Sequence, residues 1–214
     1  MEGILDLLNG PIGKTIISGV AGSTGQDSSK TGSVLTMALP VLMKAMQRNA
    51  STPEGAEGLM GALNKHDGGI LDNLGGLFGG GVDQSVVNDG SKILGHVLGS
   101  KQQGVQQVIG QKAGMDAGAV GDILKTAAPI LMGMLGKQSR QNGVSNSNGI
   151  GDLLGGMLGG SSNQQEQSFL EKILDADGDG SVIDDVAGMV LGGGNQQKSG
   201  GLLGGLLGGL FGKK

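Results

Sequence analysis

The residues best suited to chemistry in this chain lie toward its C-terminal end, in the run Asp175-Ala176-Asp177-Gly178-Asp179-Gly180-Ser181-Val182-Ile183-Asp184-Asp185. Carboxylates at relative positions 1, 3 and 5 with a glycine at 6 are what a calcium loop requires, because the oxygens converge on one point and the glycine permits the sharp turn between them. Ser181 follows at position 7 and Val182 supplies the apolar anchor at position 8. Position 12 departs from the pattern: Val186 stands where a bidentate Glu is expected, so Asp184 or Asp185 must close a shortened shell. Five Asp within eleven residues repel one another unless they are solvated, protonated or neutralised, and Lys172 is the cation nearby. A hard divalent cation answers that repulsion, with Ca2+ ahead of Mg2+; the alternative is a solvated Asp-Gly turn between two helices. The expected metal ligands are therefore Asp175, Asp177, Asp179, Ser181, Asp184 and Asp185.

Other candidates for chemistry are weaker. His66 and His96 are the only imidazoles, and His66-Asp67 has the makings of an acid-base pair or part of a metal site in a cleft between two halves of the chain. Spacing supplies neither a nucleophile nor a third ligand, so His66 reads as a helix end, where its partial positive charge suits the dipole, and His96 as a helix residue among apolar neighbours. Gly10-Pro11-Ile12-Gly13-Lys14-Thr15 has the ending of a phosphate-binding loop, but Leu8 stands where the first glycine belongs and no β-branched run precedes it. Gln111 to Leu124 has the outline of a helix-turn-helix, yet its second helix offers Asp116 and Asp122 and no Arg to reach phosphate or guanine. No catalytic residue is assigned, and the chain reads as a non-enzymatic protein.

Composition narrows the partners. Trp, Tyr and Cys are absent and there are three Phe, which removes aromatic stacking on bases and all thiol chemistry. A net charge of -4 and a pI near 5.1 give no basic field for a polyanion, so nucleic acid is not an expected partner. Glycine fills 47 of 214 positions, and because it is entropically expensive to order, the core must come from the Gly-poorer stretches. The N-terminus lacks the positive flank and long apolar run of a secretory signal, and runs such as Val34 to Met46 fall short of the ~20 residues that span a bilayer. No signal peptide or transmembrane segment is expected, the cytoplasm is the default compartment, and secretion without a standard signal stays open.

The elements that must position these residues are helical and duplicated. An offset of 89 positions aligns Ile4 to Met46 with Ile93 to Leu135 without a gap, pairing Gly25 with Gly114, Asp27 with Asp116 and Ala-x-Pro-x-Leu-Met with itself at Pro40 and Pro129. Each copy reads as helix, short turn, helix, with Val34, Leu35, Ala38, Leu39, Leu42 and Ala45 at helical period, and Ile123, Leu124, Ala127, Ala128 and Leu131 repeating them. Asp27 and Asp116 fall where N-caps belong, and each proline is expected to kink or restart its helix. Between the copies Thr52-Pro53-Glu54 starts a helix whose apolar stripe, from Ala56 and Leu59 to Leu63, continues through Ile70 to Phe78 until Gly79-Gly80-Gly81 stops it. Asp83 is placed to cap the next helix.

These residues carry a resemblance. His66-Asp67-Gly68-Gly69-Ile70-Leu71, Ile93-Leu94-Gly95-His96 and Ile109-Gly110-Gln111-Lys112-Ala113-Gly114-Met115-Asp116 with the later Ala-Pro-Ile-Leu-Met resemble the YidB-like bacterial proteins whose uncharacterised domain is catalogued as family 937. The likeness covers about the first 140 residues, and the Gly-rich tail with its Asp-rich loop is also similar to longer members. It implies a helical bacterial protein and carries over no catalytic residue.

The whole is therefore expected to be all-α: a duplicated helical-hairpin bundle over residues 1–140, a Gly/Ser/Asn/Gln linker with an amphipathic island over 141–165, an EF-hand-like loop with flanking helices over 166–192, and a Leu/Gly-rich amphipathic tail over 193–214. The island's Ile150, Leu153, Leu154, Met157 and Leu158 repeat the pattern of Ile70 to Phe78 and of Leu202 to Phe211, giving three copies of one Leu-and-Gly module. In the last copy Gly204, Gly208 and Gly212 recur at four-residue spacing, which permits close helix approach. Self-association or a protein partner is the expected use, with Ca2+ ordering the C-terminal region. A cleft near His66 and His96 that binds a small molecule is the alternative, and attachment of the tail to a membrane surface a lesser one.

Overall fold

The computed structural model of the chain describes residues 4–144 and 146–159, and every regular element among them is helical. In chain order these are α1 (Ile4–Asn9), α2 (Pro11–Thr24), α3 (Ser28–Asn49), α4 (Pro53–Lys65), α5 (Gly69–Asp72), α6 (Leu74–Gly79), α7 (Gln84–Leu98), a 3-10 turn (Gly99–Lys101), α8 (Gln102–Ala113), α9 (Ala117–Gln141) and α10 (Ser147–Gly159). The all-α class expected from the apolar periodicity holds for these residues.

Duplicated sequence gives duplicated local geometry. α2 ends where Gly25 adopts a left-handed conformation (φ 67°), and α8 ends at Gly114 in the same way (φ 63°). The next amides, of Gln26 and Met115, close matching bonds back to the Ala21 and Gly110 carbonyls, both at 2.9 Å. Glycine suits both positions because a Cβ crowds the backbone in that conformation. Two residues on, Asp27 Oδ1 accepts the Lys30 amide and Asp116 Oδ1 the Ala119 amide, each at 2.9 Å. Each aspartate thus satisfies an amide that the first helical turn leaves without a partner, as expected for N-caps.

The two halves share one core. α2 packs on α3 and α8 on α9, and each also packs on the long helix of the other half, α2 on α9 and α8 on α3. The exchange continues: α4, which follows α3, packs on α9, while α10, which follows α9, packs on α3 and α4. Leu35, Leu42 and Met43 of α3 and Ile123, Leu124, Leu131 and Met132 of α9 are 2% exposed or less, and burying side chains of this size stabilises by about 1.5–3 kcal/mol apiece. Among the described helices, α7 and α9 pack on each other most extensively.

Three expectations change. Of the two outcomes expected at each proline, a kink or a restart, the restart does not occur: α3 runs through Pro40 and α9 through Pro129. The stripe from Ala56 to Phe78 is not one helix, because α4 ends at Lys65 and His66, α5 starts only after Gly68 at φ 97°, and Asn73 (φ -131°, ψ 40°) separates α5 from α6. The island in the linker is a docked helix, with Ile150, Leu153, Leu154 and Met157 of α10 buried on the core. α9 is also long and apolar enough to cross a membrane by length and composition, with a mean hydropathy of 1.3, but 72% of that stretch is buried inside the fold. Its apolar surface is taken up by α7, α8, α2 and α4.

Candidate functional site

His66 follows the last residue of α4, at the helix end where the sequence placed it, and Gly68 then reverses the chain into α5. Asp67 Oδ1 accepts the Gly69 amide at 3.0 Å, and its Oδ2 lies 3.6 Å from Arg140 Nη2 on α9. The Gly69 amide first, and the guanidinium second, hold the Asp67 carboxyl below the ordinary aspartate range. His66 Nε2 lies 3.3 Å from Asp89 Oδ2 on α7, and Lys137 Nζ of α9 lies 3.6 Å from Asp72. Glycines let the backbones close under these pairs: a Cβ at Gly136 would strike the His66 carbonyl oxygen, and one at Gly133 the Ile70 side chain. The carboxylates of Asp89, Asp67 and Asp72 are 44%, 55% and 75% exposed, so solvent screens each pair, and together they link α4, α5, α7 and α9. Nothing in the sequence singled out Asp89, because its partner lies on a different helix.

His96 lies on α7 among Ile93, Leu94, Val97 and Leu98, as expected, and is itself exposed. Beside it opens a cavity of about 500 Å³ between the end of α3 and the 3-10 turn, lined by Arg48, Asn49, Ser51, His96, Ser100 and Lys101 among others. Asn49 fixes this wall, its Nδ2 donating to the carbonyls of His96 at 3.0 Å and Val97 at 3.3 Å. His66 does not line the cavity, so the two imidazoles do not meet there. Its lining includes the cations Arg48 and Lys101 and the hydroxyls of Ser51 and Ser100. Arg48 and Lys101 belong to no motif, and only the fold brings them to one cavity.

The Leu-and-Gly modules have sites of their own. In the first, Ile70 of α5 rests on Gly133 of α9, and the Phe78 ring of α6 lies on Gly19 of α2, where a Cβ would overlap it. The second is α10, seated on α3 and α4. Between α2 and α6 an open groove of about 570 Å³ remains, floored by Thr15, Ser18, Gly22 and Ser23 and walled by Leu74 and Phe78. Lys14 and Thr15 sit on this helix, which follows α1 with no strand among the described residues ahead of it, so the phosphate-loop likeness has no structural basis. Gln111 to Leu124 is the α8–α9 hairpin, its Val120 and Ile123 buried in the common core.

The six expected calcium ligands, Asp175, Asp177, Asp179, Ser181, Asp184 and Asp185, lie outside the described residues, as does the third module from Leu202 to Phe211. Among the described residues no group of three His, Asp or Glu side chains comes together as a metal site.

No curated protein and no solved structure matches the chain. A family model described as a bacterial protein of unknown function (DUF937) matches residues 6–138 and 145–214, taking in the duplicated core, α10 and the acidic loop. The likeness carried by His66 to Leu71, Ile93 to His96 and Ile109 to Asp116 is thereby shown: the chain belongs to the DUF937 family of bacterial proteins of unknown function.

Proposed function

We propose that the chain is a non-enzymatic structural or protein-interaction protein, that its helical core holds Leu/Gly amphipathic helices, and that its acidic loop from Asp175 to Asp185 binds Ca2+. The observation that carries the interaction reading is α10. A segment set in linker composition and rich in glycine, a poor helix former alone, is a helix here whose Ile150, Leu153, Leu154 and Met157 are at most 3% exposed against α3 and α4. The core therefore supplies the energy that such a segment lacks. The calcium part rests on the carboxylate spacing and the mutual repulsion of five neighbouring aspartates. Light scattering of the full chain with and without Ca2+ tests the assembly: a change in mass or radius on adding the cation is expected, and an unchanged monomer under both conditions would sink it.

A second reading, small-molecule binding, is favoured by the cavity beside His96. The side chains of Ser51, His96 and Ser100 in its lining offer polar contacts to such a ligand, and inorganic phosphate is a probe of them. Titration with inorganic phosphate while following the His96 ring resonances by NMR checks it, and resonances that stay fixed at millimolar phosphate eliminate it.

A further inference from the structure

We propose that the C-terminal module, Leu202 to Phe211, docks in cis into the open groove between α2 and α6, a proposal that rests on reading the core as a holder of Leu/Gly helices. The hexapeptide Leu-Gly-Gly-Leu-Phe-Gly occurs twice in the chain, as Leu74 to Gly79 and again as Leu207 to Gly212. Its first copy is α6, and the structure shows what that sequence fits: the α2 surface, with the Phe78 ring laid flat on the missing side chain of Gly19. The groove beside α6 continues this same surface.

α2 leaves room for a second backbone beside Phe78. Gly19 is already covered by that ring, but Ser18 and Gly22 at four-residue spacing, with Thr15 and Ser23 beside them, stay exposed, and a Cβ placed on Gly22 would meet nothing within 4 Å. The tail has the complementary pattern, Gly204, Gly208 and Gly212, so small residues can face small residues while Leu207, Leu210 and Phe211 reach the apolar wall of Leu74 and Phe78. Close approach of this kind is stabilised by dispersion and by Cα–H···O contacts that bulkier residues would prevent.

The tether permits it. The described chain ends at Gly159, and the residues from 160 to 201 can extend to roughly 140 Å at ~3.3 Å each, several times the breadth of a domain of this size. A segment tethered on this scale meets its own groove at an effective concentration on the order of millimolar, above that of a second copy at micromolar protein.

The chain contains no cysteine, so two introduced thiols report on each other alone. In the full-length protein, Gly22→Cys is paired with Gly208→Cys, and as a control Gly58→Cys, exposed on α4 and equally free of neighbours, is paired with Gly208→Cys. Under mild oxidation at micromolar protein, the Gly22 pair should form an intramolecular disulfide at least ~10-fold faster than the control pair. Adding Gly19→Leu to the Gly22 pair would disturb α6, so the blocking variant is Ser18→Leu, which should bring the Gly22 pair down to the control rate while circular dichroism stays that of the parent. Equal rates for the two pairs, or disulfide-linked dimers as the main product, overturn docking in cis. Equal rates in a chain that still assembles with Ca2+ remove this docking site and leave the interaction reading in place; fast pairing in a chain that never assembles supports the docking and removes the assembly.

Discussion

Gly90 of α7 lies against the main-chain carbonyl oxygen of Lys125 on α9, the oxygen that Pro129 leaves without its helical amide. Proline deletes the donor four residues on, and the neighbouring helix brings its smallest residue to that spot, where Cα hydrogens can offer a weak contact of about 0.5–1 kcal/mol. A Cβ at position 90 would collide with the oxygen, so the packing of α7 on α9 is tied to one glycine.

Gly90→Ala should therefore lower stability by about 1–3 kcal/mol through overpacking, read as a lower urea midpoint. On the same helix Gly95 has nothing near its Cβ position, and Gly95→Ala should raise stability by about 0.5–1 kcal/mol through helix propensity, read as a higher midpoint. Midpoints moving in the same direction for both variants would remove the argument.

Thr31, in the first turn of α3, is fully buried, and its Oγ1 finds no hydrogen-bond partner among the described residues. The equivalent position in the second half is Val120, equally buried. Thr31→Val keeps the shape and removes an unsatisfied hydroxyl, so thermal melting should show a gain of about 1 kcal/mol; a loss would mean that the hydroxyl has a partner.

The Asp67 carboxyl is held below its usual range by the Gly69 amide and by Arg140. A carboxylate of this kind contributes its stability fully above its unfolded value, near pH ~4, and loses it as the pH falls through the lower folded value. Asp67→Asn should be less stable than the parent at neutral pH, with the difference closing in acid. Asp83 shifts in the same direction through the Ser85 hydroxyl and amide, so Asp83→Asn should behave alike. Urea midpoints of each variant against the parent, from pH 7 down to acid, decide: a gap that stays constant would mean these carboxylates are not preferentially charged in the folded chain.

Calorimetric titration of the full chain should show Ca2+ binding with a dissociation constant on the order of 10⁻⁴–10⁻³ M, weakened by the missing ligand at Val186. Asp175→Ala with Asp179→Ala should abolish the heat, and EDTA should reverse binding in the parent. Absence of heat in the parent, or unchanged heat in the double variant, would dispose of the loop as a cation site.

What the sequence determined by itself is local. The turns at Gly25 and Gly114 and the caps at Asp27 and Asp116 depend on interactions within a few positions of one another and leave residue-type signatures, and the offset of 89 positions repeats them. The tertiary structure decided everything that joins distant positions. It exchanged α4 and α10 between the halves, gave His66 its partner Asp89, brought Arg48 and Lys101 to one cavity, and turned a stretch long enough for a membrane into the buried axis of the bundle. Apolar faces specify that they must be covered but not by which neighbour, because burial is proportional to area and indifferent to direction. The choice of partner fell to shape, above all to glycines such as Gly90 and Gly136, whose fit against a carbonyl of another helix exists only once the two helices meet.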